Sequence, residues 1–185
     1  MTPGAKIAFD DGPVLIGPSL ELRPLRATDE DDLTRAASDE RTWSGHPSKD
    51  RYKPEVFRPR FKRLLDSGGV LAVLKDGEII GCSRYYAAPD QPDDISIGFT
   101  FLNSAHWGGE VNFELKMLML DHAFRSFDKV WFHISPINIR SQKATAKLGA
   151  VHQYDATIDI SGSPELWTCW SLDRSQWSDV KAART

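Results

Sequence analysis

One stretch in the middle of the chain constrains the fold more than any other. Residues 95–149 contain the alternating run ISIGFTFL, a turn at Gly108-Gly109, a long apolar helix, the short strand VWFHI, and a helix from Asn138 to Gly149. This order places the N-terminus of a helix directly after a strand. Such a terminus binds phosphate through its free backbone N–H groups and its positive dipole end. The stretch therefore predicts an anion-binding site at the junction of a strand and a helix.

Further strands and helices are predicted on both sides of this stretch. Thr28 with Asp31 three residues on is a helix-start signature, and Lys75-Asp76-Gly77 forms the turn of a hairpin. The order of elements is β-α-α-β-β-β-α-β-α-β-β, which predicts one α/β (α+β) domain with a mixed sheet covered by helices on both faces. The flanking elements are strands near 20–25, 70–74, 78–86, 152–160 and 165–173, and helices near 28–39, 54–65 and 175–184.

The strand at 95–102 is predicted to bury one face. Its residues alternate strictly, and alternate residues of a strand point to opposite sides of the sheet. The apolar members of the predicted shared face are Ile95, Ile97, Phe99 and Phe101.

Length and composition exclude several classes of protein. A chain of 185 residues suits one domain with a real core, and we expect residues 1–18 to be a flexible arm before a single domain at 19–185. The net charge of −3, without a long run of one sign, argues against a general nucleic-acid or membrane-surface binder. No secretory signal or membrane span is visible, so a cytoplasmic location is expected.

The two cysteines, Cys82 and Cys169, are predicted to be buried thiols. One disulfide between them is the alternative. Neither has a Cys or His at metal-ligand spacing, so no metal site is predicted.

A series of short motifs follows in order through the second half of the chain. None is specific alone, but together and in this structural context they are typical of one family. They are Ile97-Gly98-Phe99-Thr100-Phe101; Trp107, Asn112, Glu114 and Lys116; Asn138, Ser141, Ala144, Leu148 and Gly149; and Trp177, Val180 and Lys181. On these motifs the chain from about Leu20 to Arg184 resembles the GNAT superfamily of acyl-CoA N-acetyltransferases, most closely its RimJ/RimL-like branch.

The resemblance implies a mostly antiparallel, twisted sheet of about seven strands, with acetyl-CoA as co-substrate and no metal. The strand backbone at Phe99, Thr100, Phe101 and Leu102 would pair with the pantetheine arm, and an exposed N–H there would polarise the thioester carbonyl. Asn138 would cap its helix and contact the pantetheine amides, and Ser141 would protonate the leaving thiolate. The implied pyrophosphate loop consists of Trp107, Gly108, Gly109, Glu110, Val111 and Asn112.

Three positions depart from the family pattern. The carboxylate of Glu110 stands where small residues are usual, and it would repel phosphate unless it points outward or pairs with a base such as Lys116. The family's frequent tyrosine falls on Thr145, and its frequent carboxylate falls on Ser96. The usual acid and base residues are therefore absent.

A proton acceptor is harder to assign from the sequence. His133 has a suitable intrinsic pKa and lies on the strand beside the expected thioester, although a hydrogen-bonded structural histidine is the alternative. His46, Glu165 and Asp94 are further candidates that would act through water. Arg140 and Lys143 would meet phosphates or solvent, and the aromatic residues that would line an acceptor pocket or pack in the core are Trp43, Tyr85, Tyr86 and Trp167.

The sequence therefore favours an acetyl-CoA-dependent N-acetyltransferase. It would move an acetyl group to a primary amine, either a protein N-terminus or a small molecule, by direct attack in a ternary complex. One alternative is a catalytically impaired acyl-CoA-binding or regulatory module, and another is a relative in fold alone that serves as an interaction domain. Family analogy also allows a homodimer through the terminal strands.

Overall fold

The computed structural model describes residues 8–184. The predicted arm at 1–18 lies partly outside the described residues, and in its described part Leu15–Ile16 pairs with the next strand.

The centre of the molecule is one mixed sheet of eight strands. The strands are β1 (Leu15–Ile16), β2 (Leu20–Pro24), β3 (Val70–Lys75), β4 (Glu78–Ala88), β5 (Gln91–Leu102), β6 (Lys129–Ile134), β7 (Val151–Asp159) and β8 (Pro164–Asp173). Their spatial order is β1-β2-β3-β4-β5-β6-β8-β7. The predicted architecture is confirmed, and β1 adds one strand to the expected number.

Within residues 8–184, five α-helices cover the two faces of this sheet. They are α1 (Glu30–Ala37), α2 (Pro54–Ser67), α3 (Val111–Ala123), α4 (Ile139–Lys147) and α5 (Arg174–Ala182). Buried residues of α1 and α2 form one apolar cluster, whereas those of α3 and α5 form another on the opposite face. The motif residues Trp177 and Lys181 both donate to the carboxylate of Asp121, which ties α5 to α3.

β5 and β6 are the one parallel pair in the sheet, and α3 makes the crossover that such a pair needs. Only Ile95 with Val130 and Ser96 with Trp131 are paired between them. Beyond Ser96 the two strands diverge, while β6 stays paired with β8 along its full length. The remaining residues of β5, up to Leu102, therefore have no strand partner on that side.

A bulge in β5 reverses its alternation at the same place. Cys82 of β4 lies opposite Phe101, but Arg84 lies opposite Gly98, so β5 holds one residue more than its partner. Phe99 absorbs the extra residue with a left-handed backbone, at φ +53°. The expectation that Ile95, Ile97, Phe99 and Phe101 share one face is therefore wrong.

Each side of the bulge contributes to a different core. Ile95 and Ile97 pack with α3, whereas Phe101 packs with α1 and α2, and Phe99 lies against the same cluster as Phe101. An extra residue in a strand shifts every later side chain to the other face, because the side-chain period is two.

Several local predictions are confirmed and two need correction. The hairpin turn has positive φ at Asp76 and Gly77, as a two-residue turn of this kind requires. The connection between the predicted strands at 78–86 and 95–102 is shorter than expected, because β4 extends to Ala88 and β5 begins at Gln91. The first helix is entered through a short 3-10 turn, and the carboxylate that accepts the N–H of Arg26 there is that of Asp29 rather than Asp31.

Glu114 joins α3 to the first strands of the sheet. Its buried carboxylate accepts hydrogen bonds from the N–H and hydroxyl of Ser19 and from the N–H of Leu20, at 2.5–2.9 Å. Burial opposes ionisation, but these hydrogen bonds outweigh it and lower the pKa of Glu114. This motif carboxylate therefore has a structural role.

Within the described part of the chain, no helix is both long and apolar enough to cross a membrane.

Replacing Gly81 with alanine is expected to lower the free energy of unfolding by about 3 kcal/mol or more. A Cβ at Gly81 would lie 2.0 Å from the carbonyl oxygen of Phe101, a backbone atom of β5. Urea unfolding monitored by tryptophan fluorescence measures the loss. Gly45→Ala is the matched control, because no atom lies within 4 Å of its added Cβ; equal stability of the two variants would contradict the assigned contact.

Candidate functional site

The divergence of β5 and β6 opens a cavity of about 380 Å³. Its walls come from β5 and α3 on one side and from β6 and α4 on the other. The loop after α1, helix α2 and the tip of the β7–β8 hairpin close its far end. The predicted site residues that line it are Phe99, Thr100, Phe101, Leu102, Trp107, Gly108, Asn112, His133, Asn138 and Ser141.

The start of α3 lies at one end of this cavity. The first hydrogen bond of the helix runs from the N–H of Glu114 to the carbonyl of Glu110, at 2.8 Å. The preceding N–H groups have no acceptor within the helix, and Gly108, at φ +78°, makes the turn that exposes them. This end of the cavity can bind an anion through backbone donors.

Glu110 does not face the cavity. Its side chain is 82% exposed and forms an ion pair with Arg184 at 3.0 Å. The predicted alternative, pairing with Lys116, is wrong, because Lys116 points inward. Gly109 and Val111 also lie outside the lining of the cavity. Repulsion of phosphate by Glu110 is accordingly weakened by distance and by its arginine partner.

Trp107 and Arg140 join the two walls of the cavity. The Trp107 indole N–H donates to the carbonyl of Leu102 at 2.9 Å. The Arg140 guanidinium lies 3.6 Å from the centre of the Trp107 ring, a cation–π contact. Asn138 caps α4 by accepting the N–H of Ser141 at 3.2 Å, as predicted.

A buried lysine lies under the wall formed by β5. The Lys116 ammonium nitrogen donates to the Thr100 hydroxyl at 2.8 Å, and that hydroxyl is also 2.7 Å from the Ser83 hydroxyl. No carboxylate pairs with Lys116 among the residues described. Burial therefore lowers its pKa to about 7.

His133 belongs to a chain of hydrogen bonds that crosses three strands. Its Nε2 lies 3.1 Å from the carboxylate of Asp90, and its Nδ1 lies 3.0 Å from the hydroxyl of Tyr86. An ionised carboxylate only accepts, so Nε2 carries the proton and Nδ1 accepts from Tyr86. Tyr154 donates to the same carboxylate at 2.6 Å.

The ionisation of His133 is set by this environment. Burial lowers the pKa of His133, while Asp90 partly opposes the shift. The imidazole is thus neutral near pH 7, and the lone pair of its Nδ1 accepts the hydrogen bond from Tyr86. Burial also raises the pKa of Tyr86, so that residue keeps its proton.

Gly98 makes room for Tyr86. A Cβ at Gly98 would lie 3.0 Å from Cε1 and 3.2 Å from the hydroxyl oxygen of Tyr86. The glycine of the Ile97-Gly98-Phe99 motif is therefore explained by the ring that lies over it.

The far end of the cavity is positively charged. Arg51 and Arg60 line it together with His46, whose Nε2 lies 3.0 Å from Arg51. Burial first, and then nearby arginines, lower the pKa of His46 to about 3. His46 is therefore a weak proton acceptor, and Glu165 is the carboxylate that lines this end.

The other predicted residues divide between cavity and core. Tyr86, Trp167 and Thr145 line the cavity, whereas Asp94 accepts from the indole of Trp131 outside it. Trp43 and Tyr85 are core residues, and both cysteines are free buried thiols. Ser96 is buried, and its hydroxyl has no hydrogen-bond partner in the described part of the chain.

Sequence reasoning missed Asp90, Tyr154, Arg51 and Arg60. Asp90 lies 43 positions from His133 along the chain, in a segment that carries only a loop signal. The arginines lie in and before α2, where cations normally indicate a solvated face. Only the assembled sheet brings these groups to the cavity.

Comparison with known proteins was informative at the level of family and fold. The chain matches the acetyltransferase (GNAT) domain family over residues 19–151. No curated protein matches it significantly.

Many solved structures are similar to this chain. A protein from T. thermophilus assigned as an acetyltransferase is 27% identical, with a TM-score of 0.72 over 92% of this chain and 94% of that one. A GCN5-related N-acetyltransferase from Brucella melitensis is 17% identical, with a TM-score of 0.76 over 92% and 83%. Mycobacterium smegmatis RimJ in complex with CoA-disulfide is 17% identical, with a TM-score of 0.64 over 94% and 93%.

Lys116 is expected to make stability depend on pH. Its pKa falls from 10.5 to about 7 on folding, so between these values the unfolded chain binds one proton more than the folded chain. Unfolding free energy should then rise by about 1.4 kcal/mol per pH unit from about pH 7 to pH 10. Lys116→Met should remove this rise.

Urea unfolding at several values of pH tests this expectation. The quantity compared is the free energy of unfolding of each variant minus that of the parent chain. Lys62→Met is the control, because Lys62 is 78% exposed and pairs with Asp66 on the surface. Parallel curves for the parent and Lys116→Met would show that Lys116 is charged when folded.

Proposed function

The chain belongs to the acetyltransferase (GNAT) domain family, and from this premise we propose that it transfers the acetyl group of acetyl-CoA to a primary amine. Both substrates would be bound together, and the amine would attack the thioester directly. Within residues 19–185 a single domain would carry out the whole reaction. The two ends of one cavity would hold the two reactants.

The observation that carries this proposal is the unpaired edge of β5. Beyond Ser96, β5 has no strand partner on the side of β6, so the backbone groups along that edge lack strand pairing, although the carbonyl of Leu102 accepts from the Trp107 indole. A pantetheine arm carries amides of its own and would occupy that edge as a strand does. The free N–H groups at the start of α3 lie at one end of the same cavity, where pyrophosphate would bind.

Two side chains support the fit of a CoA molecule. Glu110 is directed away and paired with Arg184, which answers the objection that its charge would exclude phosphate. Arg140 adds a guanidinium at the cavity wall. Together they favour a chain that binds CoA over a relative in fold alone.

We further place the chain in the RimJ/RimL-like branch. The motifs at Trp107, Asn112, Glu114 and Lys116 support this placement. The RimJ structure, solved with CoA-disulfide, shares the fold. A small amine and a protein N-terminus are both acceptors that such an enzyme would take.

The reaction forms one bond and breaks one. The amine nitrogen bonds to the carbonyl carbon of the thioester, and the C–S bond breaks to release a CoA thiolate. A backbone N–H of β5 near Phe101 would stabilise the oxyanion that forms on the way. Ser141, which lines the cavity, would give the thiolate its proton and regain one from solvent.

The amine must also lose a proton, and the Tyr86–His133–Asp90 chain offers a route. The amine proton passes to the Tyr86 oxygen as the Tyr86 proton passes to Nδ1 of His133. The imidazolium that results is stabilised by the carboxylate of Asp90, and it then releases its proton to solvent, which restores neutral His133. In this scheme Tyr86 touches the amine, while His133 and Asp90 act through it.

Acetyl-CoA is expected to stabilise the folded chain. At about 100 times its dissociation constant, a ligand of the native state adds roughly 2.7 kcal/mol, which raises the midpoint of thermal unfolding by about 5–10 °C for a domain of this size. Calorimetry with saturating acetyl-CoA measures the shift, and adenosine alone is the control. Absence of a shift at millimolar acetyl-CoA would overturn the proposed function.

Asp90→Asn is expected to reduce kcat about 10- to 100-fold and to move the acidic limb of the pH–rate profile to lower pH. Protonated His133 cannot accept a proton, so activity falls as pH falls through its pKa. Asp90 raises the pKa of His133 and so opposes the effect of burial. Without that carboxylate, the pKa of His133 falls further. The titratable groups that face His133 are Tyr86, Asp90, Tyr154 and Cys169.

Steady-state rates with an acceptor amine of low pKa test this route. Such an amine stays neutral over the pH range studied, so the acidic limb of the pH–rate profile reports on His133. Tyr86→Phe should lower kcat with little change in the KM for acetyl-CoA. Asp93→Asn, at an exposed carboxylate three residues further along the chain, is the matched control. An unchanged limb in Asp90→Asn would exclude His133 as the acceptor.

A further inference from the structure

Two guanidinium groups at the far end of the cavity take no part in the chemistry above. Arg51 and Arg60 both line the cavity, and neither forms an ion pair within residues 8–184. The Nε atom of Arg60 is buried and has no hydrogen-bond partner. Arg51 instead contacts His46 at 3.0 Å.

Aromatic rings form the remaining contacts of these two groups. The Arg60 guanidinium lies 5.9 Å from the centre of the Phe99 ring, and that of Arg51 lies 5.6 Å from the Trp43 ring. Cation–π contacts of this length replace little of the hydration that a guanidinium loses on burial. Charges that are partly removed from water in proteins are normally paired, and these half-buried arginines have no such partner among the described residues.

The electrostatic surroundings leave the positive charge in excess. Burial lowers the pKa of Arg60, and it lowers that of Arg51 to about 9. The positive charge of Arg63 further lowers the pKa of both arginines. The carboxylates of Glu165 and Asp50 raise the pKa of Arg51, but neither lies within ion-pair distance. The end of the cavity that receives the acceptor is therefore built to receive negative charge.

We propose that Arg51 and Arg60 bind a carboxylate or phosphate group carried by the small amine that accepts the acetyl group. This inference rests on the proposed function, because it assigns the acceptor of that same site. A guanidinium offers planar, paired donors that match both anions.

The position of the pair argues against a role in binding CoA phosphate. Arg60 packs over Phe99, which belongs to the core formed with α1 and α2. The free amides at the start of α3 lie with the other core, on the opposite face of the sheet. Acceptor and pyrophosphate would thus be held by separate charges.

The same charges bear on the acceptor amine itself. Two neighbouring cations favour the neutral amine over its ammonium form, and the neutral amine is the species that attacks. They also repel acceptors with several positive charges. An amine that brings its own anion compensates the arginines and leaves its nitrogen near Tyr86.

Matched acceptors test the inference directly. The pairs are β-alanine with β-alaninamide, glycine with glycinamide, and phosphoethanolamine with ethanolamine, and the measured quantity is kcat/KM from the release of CoA thiol. At least one anionic member is expected to exceed its neutral partner by about 10- to 100-fold. Comparison of the carboxylate pairs with the phosphate pair then shows which of the two anions the site prefers.

Arg60→Met and Arg51→Met should each remove most of this preference by lowering kcat/KM for the anionic member alone. Arg58→Met is the matched control on the same helix, because Arg58 points outward and pairs with Glu30 and Asp31. Circular dichroism and the midpoint of unfolding identify any variant that fails to fold. In that case Arg60→Lys is used instead, because lysine keeps the positive charge but lacks the planar, paired N–H donors of the guanidinium.

The outcomes separate this inference from the function on which it rests. Acetylation of neutral and anionic amines at equal rates, or a loss of acetyl-CoA binding in Arg60→Met, would overturn the inference and leave the acetyltransferase intact. If no amine is acetylated and acetyl-CoA gives no thermal shift, the proposed function itself fails.

Discussion

The site depends on the loss of pairing between β5 and β6 after two residues. Elsewhere in a sheet the backbone N–H and C=O groups satisfy one another, and a side chain has little room to enter. Here the bulge at Phe99 turns β5 away while β6 remains held by β8. One strand edge is left to bind a ligand backbone, and side chains from both faces of the sheet reach the same space. Every polar group of the site is arranged around that opening.

Three polar systems surround the opening, and each has a different electrostatic state. Lys116 is buried without a carboxylate partner among the described residues, and burial lowers its pKa to about 7. His133 is neutral but carries a carboxylate behind it. Arg51 and Arg60 keep their charge and form no ion pair within residues 8–184. Because they occupy different walls, the proposed cofactor, proton route and acceptor anion would each meet a different charge.

Much of the fold was predictable from the sequence, because periodicity and turn residues are local signals. The hairpin turn at Gly77, the cap at Asn138 and the amphipathic helices all follow from neighbours within a few residues. The bulge was not predictable, since a strict alternation from Ile95 to Phe101 carries no mark of an inserted residue. The residues proposed to bind the cofactor lie in motifs that resemble those of the family. The pairing of His133 with Asp90 and the position of the two arginines depend instead on contacts between distant segments, which no local pattern reveals.

Gly98 and Tyr86 carry a consequence for how this protein can change over generations. A side chain at position 98 would meet the ring at position 86, so the effect of a substitution at one depends on the residue at the other. A lineage that first gains a side chain at 98 displaces the ring from His133. A lineage that first shrinks residue 86 is free to fill position 98 afterwards. The two positions are therefore epistatic, and the order of substitutions between them is restricted.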